Sequence, residues 1–154
     1  MSYNPHLPQD RAQLAESIQH SLRNLGFTPQ PSRAGSEEVW GLKVHNDKFK
    51  ILVYTSIETN NGHSSCRAVG EDAIRVCAIY LLRDGSVRMG VVKEKRVNRT
   101  GTIEDIVSRI NGRITEVRNN ISSVETCYRC GAPTFISKKG NRVCAEICFA
   151  NKDR

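Results

Sequence analysis

The 154-residue chain lacks any run of about 18 consecutive apolar residues, so it offers no membrane-spanning helix and no membrane partner is expected. Its opening, MSYNPHLPQDRAQ, has no basic stretch followed by an apolar one, which excludes a secretory signal and points to a reducing, cytoplasmic setting. Internal repeats and low-complexity tracts are missing too. So are a phosphate-cradling glycine loop, a Ser/His/Asp arrangement and a Cys/His nucleophile pair. His6, His20, His45 and His63 are scattered and read as surface residues. Carboxylates are poorly placed for a metal-dependent nuclease. Asp72 and Glu94 face each other only if their strands pair, and Glu94 is followed two residues later by Arg96 rather than by a lysine. An enzyme is therefore the weaker reading, with a nuclease its only concrete form.

Positive charge and cysteine are present instead. A formal net charge of +7 favours an anionic partner, although its placement matters more than its size. Hydrophobic content of 38% with 25% charged residues describes an ordinary globular core in a chain of one-domain length.

Two helices and four strands can be placed from periodicity. LPQDRAQLAESIQHSLRNL, residues 7–25, sets Leu14, Ile18, Leu22 and Leu25 on one helical face, with Asp10 as N-cap and Gly26 as stop. VWGLKVH and KFKILVYTSI alternate with period two around HND, where Asn46 and Asp47 suit left-handed turn positions. DAIRVCAIYLL and SVRMGVVKEKRV flank Asp84-Gly85, a strong hairpin signal. TGTIEDIVSRINGRITEV carries Ile103, Ile106, Val107, Ile110, Ile114 and Val117 at helical spacing behind a capping-box start at Thr102. The expected fold is α+β: a four-stranded, mainly antiparallel sheet flanked by two helices over residues 1–120, followed by a zinc-ribbon module over 121–154.

The ribbon rests on CYRCGAPTFISKKGNRVCAEIC. Cys127, Cys130, Cys144 and Cys148 form a Cys-x2-Cys and a Cys-x3-Cys pair separated by thirteen residues. In a reducing compartment such a cluster favours a metal over disulfides. Each pair closes a small loop around an ion, and the turn at Lys138-Lys139-Gly140-Asn141 brings the pairs together. Gly131 lets the backbone turn tightly enough for amides to face the thiolates. Four thiolates around Zn²⁺ leave no open coordination position, so the metal is structural rather than catalytic, and about thirty residues of this kind depend on it to fold. Of the other cysteines, Cys77 lies in an apolar run and reads as core, and Cys66 in HSSC has no ligand set around it.

Residues 127–148 resemble the zinc ribbons at the ends of many nucleic-acid enzymes and factors, including the C-terminal zinc fingers of bacterial type I topoisomerases; the second pair departs from the usual Cys-x2-Cys by one residue. The resemblance implies a nucleic-acid partner for the ribbon.

Charge placement agrees with that. The segment from Arg83 to Arg99 holds six basic residues against two acidic ones, as does the segment from Cys127 onward. Arg67, Arg75, Arg88, Lys93, Lys95, Arg96 and Arg99 are the expected phosphate contacts of the core, joined by Lys138, Lys139 and Arg142 of the ribbon. Within the fourth strand, alternation sets Arg88, Glu94 and Arg96 on one face and Lys93 and Lys95 with Val91 on the other. Tyr54, with Trp40 and Tyr80 behind it, is the candidate for stacking exposed bases.

The expected function is nucleic-acid binding, single-stranded and DNA in preference to RNA, in replication, recombination or annealing. Architectural analogy adds a homo-oligomer and membership of a larger replication or repair complex. An adaptor that docks on such a machine through protein contacts is the alternative.

Overall fold

The computed structural model describes residues 1–30, 38–56 and 73–146. Helix α1 (Pro8–Asn24) precedes strands β1 (Glu38–His45), β2 (Phe49–Ser56), β3 (Ala73–Leu81) and β4 (Val87–Val97); helix α2 (Ile103–Ser122) and the short strands β5 (Thr134–Ile136) and β6 (Arg142–Cys144) follow. The first four strands form one antiparallel sheet in the order β1-β2-β3-β4, and β5 pairs with β6 separately.

Local chemistry explains the boundaries. Asp10 does not cap α1: Leu7 is the N-cap, Pro8 opens the helix, and the Asp10 carboxylate accepts the Asn4 N–H at 2.9 Å. Proline at the first helical position gives up only a donor that would be orphaned anyway, so no side-chain cap is needed. At the other end Gly26, at φ +85°, donates to the Arg23 carbonyl, and Phe27 donates to that of Leu22, a Schellman closure. That reversal buries Phe27 and leaves Leu25 40% exposed, so Leu25 is not part of the apolar face. Asn46 and Asp47, at φ 48° and 60°, make the β1–β2 turn as expected. Asp84 Oδ1 accepts both the Ser86 N–H and the Ser86 hydroxyl beside Gly85 at φ +88°, making the β3–β4 turn. Thr102 and Asp105 cap α2 reciprocally, at 3.0 and 3.1 Å.

Both helices lie on the same side of the sheet. Leu14, Ile18 and Leu22 of α1 and Ile106, Ile110, Ile114, Val117 and Ile121 of α2 share one buried cluster with Phe49, Ile51, Val53, Ile74, Val76 and Ala78. The opposite face carries a second, small cluster of Tyr54 and Cys77 with Leu52 beside them. Cys77 is fully buried, as its apolar surroundings suggest.

The ribbon is built into the same core. Cys127, Ala132 and Cys144 belong to the main cluster, and the proposed boundary at residue 120 falls inside α2. The Arg83 N–H donates to the Cys130 carbonyl at 2.7 Å, and the Tyr80 hydroxyl donates to the Glu146 carboxylate. Among the described residues, no helix is long and apolar enough to cross a membrane.

Candidate metal centre and basic surface

Three cysteines converge. The sulfurs of Cys127, Cys130 and Cys144 all lie within 4.8 Å of one another, and Cys130 Sγ is 3.3 Å from Cys144 Sγ. Four sulfurs at 2.3 Å around a tetrahedral ion stand about 3.8 Å apart, so the cluster has the dimensions of a metal site. Cys148 lies outside the described residues.

Two reverse turns build the cluster. Cys127 and Gly131 are joined by a Gly131 N–H to Cys127 carbonyl bond of 2.9 Å, with Gly131 at φ +85°. A Cβ there would sit 3.3 Å from the Leu81 carbonyl oxygen, so glycine is needed both for its conformation and for the close approach of the hairpin. The turn aims the Ala132 amide at the Cys130 sulfur, and in the second half the Glu146 N–H donates to Cys144 Sγ at 3.3 Å. Amides aimed at sulfur stabilise thiolate, the form that binds metal.

Burial works against them. The Cys130 thiol is pushed up to about 12 by loss of water, despite the Ala132 amide and with further upward pressure from Cys144 and Cys127. Three packed sulfurs cannot all carry charge unless a cation shares the site. Among the described residues the cysteines form no disulfide.

The basic residues divide into distinct groups. Lys93 and Arg96 of β4 are exposed, Lys95 and Arg99 half-buried. A register irregularity in β4 overturns the simple alternation: Val91 is set opposite Ile79, while Lys93 stays opposite Ala78 and Lys95 opposite Val76. An extra residue in one strand reverses the facing of everything beyond it. Lys93 and Lys95 therefore belong to the helix side, and Glu94 and Arg96 to the outer side with Val91. The Arg99 guanidinium lies over the Tyr3 ring, 5.9 Å from its centre. Arg88 sits in β4 opposite Tyr80, and Arg67 and Asp72 lie outside the described residues.

Arg75 is 6% exposed and ion-paired with Glu94. Glu94 is thereby committed to an arginine. Trp40, Tyr54 and Tyr80 are all buried and offer no open ring. Among the described residues, the exposed aromatic side chains of the ribbon are Tyr128, between the first two cysteines and 72% exposed, and Phe135, 44% exposed. Sequence reasoning passed over both, although the two residues inside a Cys-x2-Cys turn generally point away from the metal. Lys138 and Lys139 are exposed at the tip of the β5–β6 turn. Arg142 is exposed but bonded to Glu125 at 2.9 Å and to Thr134 at 3.0 Å.

No protein-family profile, curated protein or solved structure matches this chain.

Proposed function

We propose that this protein binds single-stranded nucleic acid, DNA in preference to RNA, through a zinc-organised ribbon and the adjoining basic edge of its sheet. The observation that carries the reading is the ribbon surface. Tyr128 and Phe135 are exposed in a module whose turn presents Lys138 and Lys139. An exposed ring such as that of Tyr128 takes the face of an unpaired base and lysines take the backbone, a combination that suits single strands better than a closed duplex. Lys93 and Arg96, on opposite sides of β4, add positive charge along that edge strand.

Zinc is the metal this donor set favours. Thiolates are soft ligands, and a tetrahedral all-sulfur site is typical of Zn²⁺. Cys148 is its fourth ligand in this reading. The metal folds the module and orients Tyr128 without taking part in chemistry.

Binding of labelled single-stranded DNA, duplex DNA and RNA over a salt series tests the proposal, with complex mass measured to reveal oligomers. Single strands should bind best, with affinity falling steeply as salt rises. Affinity that stays flat with salt would instead favour docking of the exposed Phe135 and Ile136 on a protein partner.

A further inference from the structure

The outer face of the sheet carries a row of polar side chains running across three strands. Tyr54 of β2 stands directly opposite Arg75 of β3, and Arg75 directly opposite Arg96 of β4. Directly opposed residues of antiparallel strands point to the same side, with Cβ atoms about 5 Å apart. Leu52 and Cys77 make the apolar floor beside them. Glu94 shares this face and holds one arm of the Arg75 guanidinium.

Two donors in this row have nothing to bond. Tyr54 and Arg75 are 4% and 6% exposed, yet the Tyr54 hydroxyl and Arg75 Nε are buried without a hydrogen-bond partner. Buried donors nearly always find acceptors, and two unspent ones on directly opposed residues are unusual. Arg75 Nε can only donate and the Tyr54 hydroxyl can donate, so what the row lacks is an oxygen acceptor. Arg75 Nε belongs to a cationic guanidinium, so the acceptor that fits it best is anionic.

We propose that Tyr54 and Arg75 form an oxyanion site for a phosphate group, with Glu94 occupying the arginine until phosphate displaces it. The Glu94 side chain is 27% exposed, which gives it a path toward solvent, and Arg96 on the same face is exposed. A tetrahedral phosphate then accepts from Arg75 Nε and from the Tyr54 hydroxyl at once, two charge-assisted bonds in an apolar setting. Tyr54 is thus a phosphate ligand instead of a base-stacking ring. The phosphate belongs either to a nucleic-acid backbone or to a free ion, and only the first source rests on the function proposed above.

The test uses the full-length, zinc-loaded protein and two probes at constant ionic strength, inorganic phosphate and a single-stranded oligothymidylate. Tyr54→Phe removes only the hydroxyl. It should weaken phosphate binding about tenfold, the equivalent of one charge-assisted hydrogen bond. Its melting temperature without phosphate should hold or rise, because the lost group had no partner. Glu94→Gln removes the competing charge and should tighten phosphate binding several-fold. If both variants shift oligothymidylate affinity in the same directions, the ligand is a backbone phosphate. Shifts confined to the phosphate probe assign the site to the free ion, and hold even if the oligonucleotide does not bind at all. Failure of wild-type protein to bind millimolar phosphate, or variants that match wild type with both probes, would overturn the site.

Discussion

The backbone N–H of Arg83, in the turn between β3 and β4, donates to the carbonyl of Cys130 at 2.7 Å. This bond joins the cysteine cluster to the sheet, and Gly131 lies within contact distance of the same hairpin. The ribbon is therefore held from two directions, by its cysteine cluster and by the β3–β4 turn.

Gly131→Ala should damage both attachments. The residue holds φ +85°, and an added Cβ would stand 3.3 Å from the Leu81 carbonyl oxygen and Arg83 Cγ. Left-handed strain alone costs about 1–2 kcal/mol in a non-glycine residue. Thermal melting should register at least that loss, and competition with a chromophoric chelator should show weaker metal binding.

Removing the proposed zinc should reach beyond the ribbon. Cys127, Ala132 and Cys144 pack in the same cluster as α1, α2 and the sheet. Chelation should therefore lower the melting temperature of the whole protein by about 10 °C, taking a loss of roughly 3 kcal/mol in a chain of this size. Amide exchange in β3 near Tyr80 and in the last turn of α2 should quicken as well. A sheet that melts unchanged while the ribbon unfolds would show the two to be independent.

Tyr128→Ala and the double change Lys138→Ala, Lys139→Ala should separate stacking from charge. Loss of one stacking ring costs about 1–3 kcal/mol of single-strand binding with the salt slope unchanged. The lysine pair should lower the slope of log K against log salt by about 1.4, since each lost phosphate contact contributes about 0.7 on a single strand. Fluorescence anisotropy over a salt series reads both.

Acid should loosen the start of α2. The Asp105 carboxyl is held below the usual carboxylate range chiefly by the Thr102 backbone N–H, with the Thr102 hydroxyl and Arg109 assisting. A depressed folded-state value means that this contribution is complete above the unfolded carboxylate value of about 4 and is lost as pH falls through the lower folded value. Asp105→Asn should flatten that part of the stability curve, as followed by helical circular dichroism between about pH 5 and pH 2.

Much of the fold was legible because it depends on neighbours in the chain. Ile106, Ile110, Ile114 and Val117 repeat at helical spacing, Thr102 caps them, and Asn46-Asp47 and Asp84-Gly85 make the turns, all as read from sequence. The pairing of Cys127 and Cys130 with Cys144 was legible for the same reason, since spacing in a short hairpin restricts which sulfurs can meet. Asp10 misled because proline and a bare carbonyl can open a helix without a side-chain cap. Arg75 reads from sequence as a phosphate contact and Tyr54 as a stacking ring, and nothing in their local sequence announces that both are buried side chains.

By itself the sequence determined the order of elements, the one-sided apolar face of each helix and the cysteine cluster, because periodicity, turn chemistry and ligand spacing are local properties of the chain. Only the tertiary structure decided that both helices cover the same side of the sheet, that an irregularity in β4 separates Lys93 from Val91, and that the ribbon shares the main core. It also decided that Glu94 holds Arg75 beside the unpartnered Tyr54 hydroxyl. These depend on which distant segments pack together, and burial and pairing energies between them are set by that contact, not by any residue's neighbours in sequence.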